Sequence, residues 1–224
     1  MLRLVVISIV VFGMTAAVSL AGDVSKYRDF QLGTNLAAVT VQVGASPSQA
    51  KVIHNRPALI QELDWRPQPL GAVSKTEPVK EVVFSFYNGA LYRIVIDYDR
   101  YQTEGLTAGD MVEAISATYG IAEKPTASAK TEQERSGDQE EILARWQDSG
   151  YRFELMRSAY GQSFRLIGTL KKLEVSAQAA SIEAARLDDQ EAPQREAARM
   201  ASEKETERAK LEKSRLVNKP NFRP

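Results

Sequence analysis

Val82, Phe84 and Phe86 run into a turn signal at Tyr87-Asn88-Gly89, and Ala90, Tyr92, Ile94 and Ile96 follow it. Alternation on both sides of Asn-Gly specifies a β-hairpin, because residues two apart share a strand face and glycine takes the positive φ of a tight turn. Two registers compete. A two-residue Asn88-Gly89 loop pairs Phe86 with Leu91 and Phe84 with Arg93, which sets the apolar residues on opposite faces. A three-residue loop, with Gly89 in a left-handed bulge, pairs Phe84 with Tyr92 and Val82 with Ile94. The second keeps one apolar face and is the register expected.

The hairpin needs further elements to cover that face. Gly33-Thr34-Asn35-Leu36 opens a short helix, with Thr34 or Asn35 as cap, Leu36, Val39 and Val43 at helical spacing, and Gly44 as stop. Ser46-Pro47-Ser48-Gln49 has a capping box with proline at the first position and predicts a second helix ending before Pro57. Leu59, Leu63 and Trp65 against Glu62, Asp64 and Arg66 predict a half-buried strand, and 66–77 a loop. Thr107 and Asp110 cap a further helix with Met111, Ala114, Ile115 and Thr118 on one side and Gly120 at its end. Residues 123–140 are polar and predict a mobile loop. Strands resume with Ile142, Ala144 and Trp146, turn near Ser149-Gly150, continue with Tyr151, Phe153 and Leu155, and turn again at Tyr160-Gly161 into Phe164, Leu166 and Leu170.

The fold expected is α+β, an antiparallel sheet with short helices on one face and a charged C-terminal helix. Its order of helix, tryptophan strand and aromatic hairpin occurs twice, which suggests a tandem repeat over 30–100 and 101–172. LDWR then matches ARWQ, and VFSFYNGALYRIVID matches RFELMRSAYGQSFRLIG. A single α+β unit accounts for the same pattern.

Four segments follow from composition. Arg3, the apolar run Leu4 to Phe12 and the small residues Ser19 and Ala21 read as a signal peptide over 1–21, cut before Gly22, with an uncleaved membrane anchor as the alternative. The α+β domain then occupies 22–172. A charged helical tail over 173–217 carries a thin stripe of Leu173, Ala177, Ala180, Ala184 and Leu187, and Pro193 predicts a break. Beyond it, Glu196–Arg199, Glu205–Arg208, Glu207–Lys210 and Glu212–Arg215 stand one turn apart. Residues 218–224 predict a disordered end.

The chain has no cysteine, which excludes disulfides, thiolate chemistry and a lipid-modified cysteine. Acidic and basic residues balance at 29 each, so no global field steers the chain to nucleic acid or to an anionic surface. An export signal without cysteine fits a periplasmic or secreted bacterial protein, with no membrane span once the signal is removed.

Catalytic motifs are scarce. His54 is the single histidine and stands at a predicted helix end, where it complements the dipole. Asp97-Tyr98-Asp99 opens like a calcium loop, but Tyr101, Gln102 and Ala108 occupy the positions that need a ligand, a glycine and a closing carboxylate. No catalytic, cofactor or metal residue is assigned. Trp65 and Trp146 fit a core. Exposed together with Arg66, Tyr87, Arg93, Tyr98, Tyr101 and Tyr160, they would instead form an aromatic, arginine-edged interaction surface.

The order seen in GTNLAAVTVQVG, LDWR and VFSFYNGALYRIVID resembles the small lipoprotein of the outer-membrane barrel-assembly machine, and its doubled form resembles the tandem-repeat β-lactamase inhibitory protein. The resemblance implies helices on one face of an antiparallel sheet and noncatalytic binding of another envelope protein. The lipid-anchor cysteine of the lipoprotein family is missing, and no functional residue carries over. Together these readings predict an exported, noncatalytic protein-binding module of the bacterial envelope, with oligomerisation through the tail helix as a further expectation. The alternative is a secreted enzyme or small-ligand-binding protein whose pocket uses Asp97, Asp99, Tyr101 or His54.

Overall fold

The computed structural model describes residues 22–67, 77–125, 140–158, 163–221 and 223. The signal segment 1–21, most of the 66–77 and 123–140 loops and the Tyr160-Gly161 turn lie outside the described residues.

Among the described residues nine strands and three helices follow one another. A small hairpin, β1 (Lys26–Tyr27) and β2 (Phe30–Gln31), precedes α1 (Leu36–Val43), β3 (Lys51–His54), β4 (Ile60–Trp65), β5 (Val79–Tyr87) and β6 (Ala90–Tyr98). Then come α2 (Ala108–Tyr119), β7 (Glu140–Gln147), β8 (Tyr151–Ser158), β9 (Phe164–Leu170) and α3 (Lys171–Asn218). Strands β3 to β9 form one antiparallel sheet in the order β3-β4-β5-β6-β9-β8-β7.

Local signals set the helix ends as expected. Asn35 caps α1 by accepting from Ala38 N, and Gly44 ends it in the left-handed region. Thr107 and Asp110 form the capping box of α2. Its buried side is Met111, Ile115 and Tyr119, whereas Ala114 and Thr118 are exposed. The second capping box is present too, but it nucleates only a 3₁₀ turn, Pro47–Gln49, and the expected helix up to Pro57 is replaced by β3. Val52 and Ile53 favour the strand, and pairing with β4 supplies hydrogen bonds that an isolated short helix would have to find alone.

The central hairpin corrects the expected register. Tyr87 pairs with Ala90 around a two-residue Asn88-Gly89 loop in which both residues have positive φ, 48° and 81°. Phe86 then faces Leu91, and a β-bulge at Tyr92 shifts the ladder so that Ser85 faces Arg93, Phe84 faces Ile94 and Val82 faces Ile96. The extra residue restores the apolar face that the short loop alone would have lost. Val82, Phe84, Phe86, Leu91, Ile94 and Ile96 are all fully buried.

A second bulge, between Ile142 and Ala144, moves Ile142 off the face shared by Ala144 and Trp146. The inner face, α1, α2 and the β1–β2 hairpin enclose one core with Leu63, Phe84, Trp146, Phe153 and Leu166. Burying side chains of this size contributes about 1.5–3 kcal/mol each.

The registers relate the two halves of the sheet by a local two-fold through the Val95–Ile167 pair. It exchanges Ile94 with Leu166 and Ile96 with Gly168, and it carries the row Trp65–Val82–Ile96 onto Trp146–Phe153–Gly168. Volume is traded within the row. Phe153 is larger than Val82, and its partner is glycine instead of isoleucine; a Cβ on Gly168 would overlap the Phe153 ring. The sequence pairing of LDWR with ARWQ matches this row, while the hairpin pairing, which sets Phe84 on Phe153, is two residues out of step with it.

The other face of the sheet is covered by α3, which begins directly after β9 and buries Ala177, Ala180 and Ala184. Ala180 meets Ala58, Ile60 and Tyr87. The helix runs through Pro193 without the expected break, and Arg195 Nη2 reaches back to the Asp188 carbonyl at 2.9 Å on the turn where proline withdraws a donor. Where a disordered end was expected, Lys219–Asn221 close the helix in a 3₁₀ turn. No described helix is long and apolar enough to cross a membrane.

Candidate interaction surface

The residues singled out for chemistry do not meet. His54 ends β3, an edge strand, while Asp97 lies on β6 beyond β4 and β5. Arg165 Nε donates to Asp97 Oδ1 at 2.6 Å, which commits that carboxylate to a cross-strand pair. Asp99 Oδ1 accepts from the backbone of Tyr101, at 2.8 Å, and of Gln102, at 3.3 Å, so it shapes its own turn. No group of three or more metal-ligating side chains occurs among the described residues.

The seven described residues of the predicted aromatic surface are likewise dispersed. Trp146 is 1% exposed, and its Nε1 donates to Ser116 Oγ and to the Gly120 carbonyl at the end of α2. Trp65 is half-buried on the inner face, edge-on to Phe30 at 5.5 Å. Four strands separate the two indoles. Tyr98 packs against the main core, whereas Tyr87 and Arg93 are half-buried on the face toward α3. Arg66 is exposed and paired with Glu81. Tyr101 is 70% exposed beneath the Arg100 guanidinium, and Tyr160 lies outside the described residues. Each aromatic near the core satisfies packing locally, so no common patch forms among the described residues.

Two clusters were not anticipated. The first gathers Tyr27, Tyr98 and Tyr119 where β1, β6 and α2 meet. Tyr119 stacks on Phe153 at 4.5 Å, and its hydroxyl donates to the Lys26 carbonyl. Burial pushes the Tyr27 phenol up to about 12 and raises Tyr98 and Tyr119 as well, with Tyr27 adding to the rise of both and Tyr119 to that of Tyr98. These groups stay protonated at neutral pH and act as hydrogen-bonding wall, not as bases. Beside them Arg28 grips Glu77 with two bonds of 2.8 and 3.0 Å, which holds the carboxyl below its usual range.

The second cluster tethers α3. Arg145 donates twice to Glu154, and Arg152 Nη2 donates to Glu174 at 2.8 Å, so β7, β8 and the first turns of α3 share one charge network. Arg152 Nε lies 3.2 Å from Glu154 but makes no hydrogen bond, and the neighbouring Thr169 hydroxyl is buried without a partner among the described residues. At the far side of the sheet Arg56 binds Glu191 and Asp188, keeping the Glu191 carboxyl low. The signal for the network was available in Arg152 and Glu154, which alternate with Phe153 and Leu155 and therefore share the other sheet face.

Past Glu191 contact with the domain ceases. Every residue from Ala192 to Asn218 is exposed, about 27 residues or about 40 Å of helix. Of the four expected pairs one turn apart, Glu196–Arg199 forms, and Arg199 also binds Glu203; the other three do not appear as ion pairs. This projecting arm is the candidate interaction element. Comparison with protein-family models, with curated proteins and with solved structures finds no match.

Proposed function

We propose that this chain is an exported, noncatalytic module of the bacterial cell envelope, periplasmic or secreted, that binds another protein. The observation that carries the reading is the free half of α3. A helix stabilised only by exposed ion pairs gains a few tenths of a kcal/mol from each, so its ordering is best repaid by a partner. The domain serves as its mount, fixed by the alanine stripe and by the tethers at Glu174 and Glu191. The likeness to the barrel-assembly lipoprotein and to the tandem inhibitory protein belongs to the same proposal, as does an origin by tandem duplication, which the two-fold pairing of Trp65 with Trp146 favours. The enzyme alternative gains nothing from Asp97 and Asp99, whose carboxylates are committed to Arg165 and to a turn.

The test is a photo-crosslinking amino acid at Met200 or Leu211 of the exported chain, irradiated in intact cells. A reproducible adduct with one envelope protein, lost when the probe is moved to the buried position Ala177, is the expected result. Irradiation that yields no adduct on the arm overturns the reading.

A further inference from the structure

Away from the docked face, α3 exposes Val175 (67%), Ile182 (73%), Met200 (55%) and Leu211 (63%), together with Pro193. Their spacing is seven, eleven, seven and eleven residues. Eighteen residues are five full turns, so on a straight helix these five side chains lie within about 20° of one line. Steps of seven drift one way and steps of eleven the other, and their alternation cancels the drift. The line runs about 54 Å, opposite Ala177, Ala180 and Ala184, and the domain touches none of it. Scattered exposed apolar residues are ordinary on a protein surface. Five in a row along one straight helix are not scattered.

Past Arg186 the charges beside the line are sorted by sign. Helical geometry sets Asp189, Glu196, Glu203 and Glu207 along one edge and Lys204, Arg208 and Arg215 along the other; nearer the domain Lys172 and Arg186 continue the basic edge, but Lys171 stands on the acidic one and Glu183 beside Arg186. Arg199 bridges Glu196 and Glu203 from farther round the helix, while Asp189, Glu207, Lys204, Arg208 and Arg215 have no ion pair among the described residues. Sorted edges distinguish the two ways in which identical helices can pair. A two-fold axis parallel to the helices brings the acidic edge of one against the basic edge of the other. A two-fold perpendicular to them brings acid to acid and base to base.

We propose that α3 pairs with α3 of a second copy of this chain, parallel and in register, through the line from Val175 to Leu211. The two domains then sit on the outer sides of the pair, where the docked faces already point, and do not obstruct it. The proposal rests on the reading of α3 as an interaction element and names its occupant.

The absence of cysteine makes the test direct. In a parallel, in-register pair each residue of the line faces itself. Single variants Ile182→Cys, Met200→Cys and Leu211→Cys of the full exported chain should each form a disulfide-linked dimer under mild oxidation. Ser202→Cys, on the opposite side of the exposed helix, should not. Sedimentation of the unmodified chain should give a dimer whose dissociation constant rises at least tenfold in Met200→Glu, with unchanged helical circular dichroism. A monomer at about 100 μM, or crosslinks that form only between Ile182→Cys and Leu211→Cys chains, overturns the proposal. A monomer that still crosslinks to another envelope protein through the arm overturns the pairing alone, whereas a dimer without such adducts upholds the pairing and removes the heterologous partner.

Discussion

From Lys171 to Glu191 α3 lies on a sheet, and from Ala192 to Asn218 it has water on every side, although both halves are rich in alanine and glutamate. Ala180 and Ala198 stand five turns apart on the same side of the helix. Ala180 is buried against Ala58 and Ile60, and Ala198 is exposed. Alanine permits close approach wherever another surface is offered, so the difference comes from the sheet beneath and not from the helix. Two charged clamps mark the extent of docking, Arg152–Glu174 at its start and Arg56–Glu191 at its end.

That contrast can be broken most strongly at its matched positions. Ala180→Asp should lower the free energy of unfolding by about 3 kcal/mol, since it drives an unpaired carboxylate into the contact. Ala198→Asp should stay within about 0.5 kcal/mol of the parent chain by chemical denaturation. Equal effects would mean that the docked half is not held as described.

Alkaline pH separates the domain from its arm, because α3 contains no tyrosine. The Tyr27 phenol is raised from about 10 to about 12, so its stabilisation is complete below pH 10 and is lost as pH rises through 12. Tyr98 and Tyr119 shift the same way and add to the loss. About 3 kcal/mol of domain stability should disappear over this interval on account of Tyr27 alone. Tyrosinate absorbance should show Tyr27, Tyr98 and Tyr119 ionising well above the ordinary phenol range, with the half-buried Tyr92 raised as well.

Smaller effects sharpen the boundary. Glu174→Gln leaves the half-buried Arg152 with Glu154 alone and should cost about 1 kcal/mol, while Glu203→Gln in the free half should cost nearly nothing by the same measurement. Removing 192–224 should leave the melting temperature of the domain within about 1 °C. In the unpaired chain amide exchange should show strong protection up to Leu187 and little beyond Ala192, with protection beyond Ala192 appearing only at concentrations where two copies pair.

Much of the fold could be read from short-range chemistry. Asn35 and Gly44 bound α1, Thr107 and Asp110 begin α2, and the alternation around Asn88-Gly89 defines a hairpin with one apolar face. Reading failed where distant pairing outweighed a local preference. The Ser46–Gln49 capping box is genuine, yet β4 draws the following residues into β3; the Tyr92 bulge combines features of two registers that sequence treats as exclusive. The described residues of the predicted aromatic surface lie apart for a related reason. Strand alternation says that Trp65 and Trp146 share a face with apolar neighbours, but a covering layer decides whether that face is wet.

The sequence by itself determined the period of each element, its caps, and the sorting of apolar side chains within the central hairpin, because these depend on neighbours a few residues away. Only the tertiary structure decided which surface of the sheet each helix covers, where the ladder absorbs an extra residue, and how far α3 stays docked. Those choices depend on contacts between segments far apart in the chain, and the free energy of such contacts is set by the shape that the two surfaces present to each other.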